Sequence, residues 1–293
     1  HKLFSDSVLK WLLLSIAFLL PIFFIPGTTV APEFSKMILL EVIVLFGTFA
    51  WALGRLRDGR VVLPKSLLLV VASLLVVVFI VSALLSPAPI VSFFGSGHDI
   101  GTLNPFIVLF LLMFLSSSLF TDRNRILSLY VAFLLSSVLV IVYQLLRRVF
   151  GSDFLTMGGT FTSAVASPVG KWNDFASLIG ALEILILSTL YFFPQNKSIR
   201  VPAYILFLVG LFFLLLIDFT VLWLMLIVFV GGLIALSVYE GERSHKRLAH
   251  EAASEGREHK HKAVHKRVVG HLPLLATLLL VVSLIYGTGL STQ

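Results

Sequence analysis

No cysteine occurs in the chain, which excludes disulfides, thiolate-ligated zinc, iron–sulfur clusters and thiol catalysis. Charge is scarce as well. Asp, Glu, Lys and Arg together make up 13% of the 293 residues, against about 25% in an average soluble domain. No internal repeat is evident, and no segment has the composition of a soluble domain. Apolar residues do not alternate with polar ones over long stretches, which argues against a membrane β-barrel.

What is present is continuous apolar sequence. Hydrophobic residues account for 58% of the chain, and runs long enough to cross a bilayer recur from end to end. The pattern predicts an all-α fold, a polytopic transmembrane helix bundle of about nine spans. These fall at residues 8–24, 34–53, 66–85, 105–120, 126–146, 175–193, 201–217, 221–239 and 272–286, each near the ~20 residues that the hydrocarbon requires. The seventh and eighth are nearly fused through Asp218, Phe219 and Thr220, so they form a helical hairpin in which Asp218 or Thr220 caps the second helix. The whole of 1–293 reads as one transmembrane helical domain, with a charged inner loop over 240–270. The histidine at position 1 and the short distance from the last apolar run to residue 293 predict a piece of a longer protein that continues beyond 293. No signal-peptide cleavage pattern follows the first run.

The net charge of +7 is unevenly distributed. With the N-terminus inside, the outer connections hold only Lys36, Arg147, Arg148 and Lys171, and the other eighteen of 22 lysines and arginines lie inside. That bias orients the spans and gives the inner side an affinity for anionic lipid. It reads as orientation before nucleic-acid binding. The outer loops differ in kind. Residues 86–104 carry no Lys or Arg, and residues 147–174 form a long connection rich in Gly, Ser and Thr with interspersed aromatics. Connections of that length are usually functional or disordered.

Three segments, in this order, resemble the O-antigen ligase and polymerase superfamily of bacterial envelope glycan enzymes. FLLPIFFIPGTTVAPEFSKMILLEVIVLFGTFAW resembles the family's first two spans. SPAPIVSFFGSGHDIGTL is similar to its first outer loop, with an aromatic-Gly-Ser pattern. GGTFTSAVASPVGKWNDFASLIG is similar to the G-T-F-G-N-P-N-F-type segment that precedes a span. The resemblance implies a multi-helix glycosyltransferase in the cytoplasmic membrane, acting in polysaccharide biosynthesis. It implies transfer of a glycan from a polyprenyl-diphosphate carrier on the outer face, with no metal and no cofactor. Two differences accompany it. Where the family often has Ser-Arg-Gly, this chain reads Asp218-Phe219-Thr220, and the family's histidine-bearing outer loop would fall after residue 293.

On this reading Arg147, Arg148, Lys171 and Lys36 are candidate diphosphate contacts, because fixed cations stabilise the charge that develops on a departing diphosphate. The alternative for each is a side chain reaching up to lipid phosphates. Asn173 and Asp174 are candidates to cap the helix that follows and to edge an anion site beside Lys171. Trp172 fits an interfacial belt. His98, next to Asp99 in the first outer loop, is a candidate base for an acceptor hydroxyl, or surface decoration. Glu41 and Glu183 fall inside spans, where an acid must face the bundle or a wet cavity. A structural hydrogen bond and a ligand or proton path both remain open for them, and with no basic residue at its depth Glu183 is expected as the neutral acid. His259, His261 and His265 read as part of a charged solvated helix, not a metal site. Two other functions stay open: a non-enzymatic membrane anchor or scaffold for a downstream soluble domain, and a transporter. The broken midplane helices and repeats common in transporters are not evident.

Overall fold

The computed structural model describes residues 2–27, 32–59, 66–95, 102–120, 122–192, 196–217 and 219–255. Among them regular structure is helical: α1 (Lys2–Ile22), α2 (Pro32–Asp58), α3 (Leu67–Leu84), α4 (Pro89–Phe94), α5 (Leu103–Leu119), α6 (Arg123–Phe150), α7 (Trp172–Phe192), α8 (Lys197–Ile217) and α9 (Thr220–Glu255). The first eight expected spans each coincide with one of these helices, and 272–286 lies outside the described residues. Among the described residues six helices are long and apolar enough to cross a membrane: α2, α3, α6, α7, α8 and the Thr220–Tyr239 part of α9. Helix α5 is a shorter apolar helix of 17 residues. The chain has the architecture of a multi-pass helical membrane protein.

Burial follows the membrane rule and not the soluble one. On α6 the buried face is Ser136, Ser137, Val140, Ile141, Gln144 and Arg147, a stripe at three- and four-residue spacing that contains its polar and small residues. The outward residues are Val131, Leu135, Leu139, Val142, Leu145 and Val149, all exposed. Such an inverted helix is stable only where the surroundings are as apolar as its outer face. Helix α3 goes further, with ten of its apolar side chains between Leu67 and Leu84 exposed and only Leu69 and Ala83 buried.

The chain divides into two compact units, residues 1–171 and 172–293. In the first, α1 packs on α2 and α6, and α5 packs on α2 and α3. Its apolar core joins Leu9, Leu13 and Ile16 of α1, Leu40 and Val44 of α2, and Val108, Leu115 and Leu119 of α5. These are the i, i+4, i+7 positions that place side chains on one face. Gly47 sits where α1 and α5 both approach α2, since a Cβ there would lie 3.1 Å from Leu115 and 3.3 Å from Leu9. Trp51 meets Phe114 edge to face, and Phe79 stacks on Phe106 at 4.5 Å, tying α3 to α5.

In the second unit α7 is the centre, and α8 and α9 each pack against it. Its inner face runs through Phe175, Ile179, Leu182, Glu183 and Ile186. It receives Phe213 of α8 edge to face on Phe175 and Leu222 of α9 over Gly180. Helices α8 and α9 are separate, as two spans require. Asp218, expected in the turn between them, lies outside the described residues. The backbone of α9 continues beyond Tyr239 to Glu255 as one helix, so the first part of the charged stretch extends a span without a break.

Candidate functional site: the loop between α6 and α7

The connection from Gly151 to Lys171 is folded onto the end of α6. Gly151 ends the helix with φ +99° and donates its N–H to the Arg147 carbonyl at 3.0 Å. The chain then turns back, and Arg147, one turn earlier on the inward face, gathers it. Arg147 Nη1 donates to the Ala166 carbonyl at 2.8 Å, and Nη2 donates to the carbonyls of Ser152 (2.7 Å), Phe161 (3.0 Å) and Ser163 (3.1 Å). The side chain is 4% exposed. A guanidinium suits this place because its planar fork offers five donors in fixed directions. Four carbonyl dipoles meet its charge, and the Tyr143 ring lies 5.7 Å from it.

Three neighbours on α6 and the loop reinforce the fold. Gln144 donates to the same Ala166 carbonyl at 3.0 Å, and Tyr143 donates its hydroxyl hydrogen to the Leu155 carbonyl at 2.8 Å. Phe161 is buried, with its ring edge-on to Tyr143 and to Phe24, which follows α1. Beyond Ala166 the chain reverses at Ser167 and Gly170, which exchange both backbone hydrogen bonds at 3.2 and 3.1 Å. That reversal keeps Lys171 within about 13 Å of Ala166, by trans-peptide and bridge spacings. Leu155 and Met157 hold φ of +55° and +48° with exposed side chains. This conformation costs non-glycine residues about 1–2 kcal/mol each, and the surrounding hydrogen bonds hold it in place.

The turn after α1 joins the same end. Gly27 donates its N–H to Thr160 Oγ1 at 2.9 Å. Lys36, near the start of α2, donates to the carbonyls of Leu20, Pro21 and Phe23, and buried Ser35 accepts from the Ile25 N–H. Lysine over the last carbonyls of a helix satisfies orphan acceptors and complements the dipole. The C-terminal ends of α1 and α6 therefore lie on one side of this unit.

The four cations singled out in the sequence divide accordingly. Arg147 and Lys36 turn inward to main-chain carbonyls and build this end of the unit. Arg148 and Lys171 are exposed. Asn173 and Asp174 are not caps: α7 begins at Trp172, which puts the N-cap position at Lys171 and these two residues inside the helix. Both fall in its first turn, where the Asp174 carboxylate still complements the dipole. Trp172 is half-buried against Phe175. Glu41 accepts a hydrogen bond from Asn104 Nδ2 at the start of α5. Glu183 is fully buried, far along α7 from this loop. His98 lies outside the described residues, as do His259, His261 and His265. Among the described residues no group of three or more His, Cys, Asp or Glu is arranged to hold a metal ion.

Sequence reasoning missed Gln144, Tyr143 and Phe161. A signal for the first existed: glutamine inside an apolar span, three residues before an arginine, places two polar groups on one helix face. Compared with protein-family models, curated proteins and solved structures, the chain shows no match.

Proposed function

We propose that the chain is the membrane part of an O-antigen ligase-like protein that holds a polyprenyl-diphosphate-linked glycan on the outer face of the cytoplasmic membrane. The observation that carries this reading is the ordered loop over 151–171. It is fastened to α6 by a buried arginine, and exposed Arg148 and Lys171 stand at its two ends. In this reading α1, α5 and residues 272–286 join the six helices named above to make nine spans, with the N-terminus inside.

The diphosphate sits beside Arg148 and Lys171, whose fixed positive charge meets its oxygens. The polyprenyl chain runs along outward apolar side chains at the same level, among them Phe150, Phe154, Leu155 and Met157. In transfer, an acceptor hydroxyl bonds to the anomeric carbon while the bond to the diphosphate oxygen breaks. The cations stabilise the departing anion. The hydroxyl proton must go to a base, and His98 is the proposed one, by chain position alone. Arg147 acts by positioning the loop and makes no contact with the carrier.

Arg148→Ala and Lys171→Ala are each expected to weaken binding of a polyprenyl-diphosphate analogue by about 10- to 100-fold, the scale of one charge-assisted hydrogen bond. The binding that remains in the parent should fall with added salt, as at a water-accessible anion site. Titration of the purified protein in neutral-lipid nanodiscs checks both. Unchanged affinity in either variant would remove that residue from the site.

A further inference from the structure

Glu183 stands near the middle of α7, about 16 Å from the first residue of that helix at ~1.5 Å per residue. Its side chain is 0% exposed, and neither carboxyl oxygen has a hydrogen-bond partner. One oxygen rests against Gly210 of α8, in the space that a Cβ at Gly210 would take, with Ile179 alongside.

Among the described residues of its unit, no charged side chain stands at the depth of Glu183 on α7 or on the helices packed against it. On α7 the other acid, Asp174, is in the first turn, and Tyr191 is near the opposite end. On α8 the cations Lys197 and Arg200 are in the first turn and exposed, about three turns from Gly210, with Tyr204 between. The span Thr220–Tyr239 of α9 carries no Asp, Glu, Lys or Arg. A carboxylate here would have neither counter-charge nor donor among the described residues, a costly state in a bilayer. The neutral acid has no such penalty and fits against the bare Cα of a glycine.

We propose that Glu183 is an intramembrane proton-binding site, and that its bound proton is what lets α7 lie against α8 at Gly210. The proposal stands independently of the diphosphate site. The ligand is the proton itself. When the proton leaves, the carboxylate must move off Gly210 to reach a donor or water, so proton release and separation of α7 from α8 are one event.

The chemistry supplies a direct probe. A neutral acid in apolar surroundings adds across a hydrophobic carbodiimide. The acid proton goes to one carbodiimide nitrogen, and a carboxyl oxygen bonds to the central carbon. The resulting O-acylisourea rearranges to a stable N-acylurea with no leaving group. The full chain in nanodiscs is treated near neutral pH with dicyclohexylcarbodiimide or with a water-soluble carbodiimide, and peptides are mapped by mass spectrometry. The expected result is a dicyclohexyl adduct on Glu183, absent in Glu183→Gln and absent with the water-soluble reagent. The parent-minus-E183Q infrared difference spectrum should show the carbonyl stretch of a protonated acid. Modification by the water-soluble reagent, or carboxylate bands in place of the acid band, would overturn the proposal. If E183Q does not fold, the parent alone decides, through the contrast between the two reagents and through loss of the acid band in alkaline buffer.

Discussion

Replacing Arg147 with lysine is expected to loosen residues 152–166 at the end of α6 while leaving the helix intact. The loop is held mainly through main-chain carbonyls of Ser152, Phe161, Ser163 and Ala166, all on one guanidinium. Lysine keeps the charge but presents it as a point on a flexible stem, without the planar fork that reaches several acceptors at once. At least two charge-assisted hydrogen bonds are lost, a destabilisation of about 3 kcal/mol. Gln144 and Tyr143 retain one loop carbonyl each, so the loop loosens without detaching completely. Amide hydrogen exchange should rise across 152–166 and remain unchanged along the middle of α6, and proteases should cut near Phe154 and Leu155. Exchange identical to the parent would mean that the loop is held by its aromatic packing at Phe161 instead.

The second large effect is expected at the contact between α7 and α8. A methyl at Gly210 would occupy the position of a Glu183 carboxyl oxygen and press on Ile179. Overfilling a packed site of this kind typically costs about 1–3 kcal/mol. The oxygen belongs to a side chain that is fully buried, so it cannot move aside into solvent. Glu183→Ala removes the obstruction, and Gly210→Ala should then be nearly neutral. The four proteins form a double-mutant cycle whose coupling should reach about 1–3 kcal/mol, measured by unfolding in bicelles. Additive effects would show that the carboxyl moves aside freely and that the glycine is not required by it.

The helices were legible because uninterrupted apolar runs of bilayer length permit little else. Which face of each helix turns inward was much less so. Helix α3 is apolar all round, and nothing in its sequence distinguishes Leu69, which is buried, from Leu68, which is exposed. On α6 the answer was readable in principle, since Ser136, Ser137, Gln144 and Arg147 share a face. Helix α4 is hidden in the sequence because it is only six residues long, set between Ser86-Pro87-Ala88 and a glycine-rich stretch. A proline at its first position favours its start, and Gly95 at φ +80° stops it.

At the candidate site the orientation bias drew attention to Lys36, Arg147, Arg148 and Lys171, but it could not divide them. The division depends on main-chain carbonyls, and residues such as Ala166 or Phe161 give no hint in their side chains that their carbonyls will be acceptors. The same holds for the buried acids. Glu41 and Glu183 were visible as charges inside spans, whereas Asn104 and Gly210, which meet them, stand 63 and 27 positions away in sequence.

In the proposed function the loop fastened by Arg147 receives the diphosphate end of a polyprenyl-linked glycan. The most direct test of this is a polyprenyl-diphosphate analogue with a photoreactive group next to the phosphates, cross-linked to the full chain in nanodiscs and mapped by mass spectrometry. Adducts are expected within 148–171, suppressed by unlabelled analogue and lost in the Arg148→Ala, Lys171→Ala double variant. Adducts confined to the basic stretch 243–267, or spread over lipid-facing helices and indifferent to competitor, would contradict it.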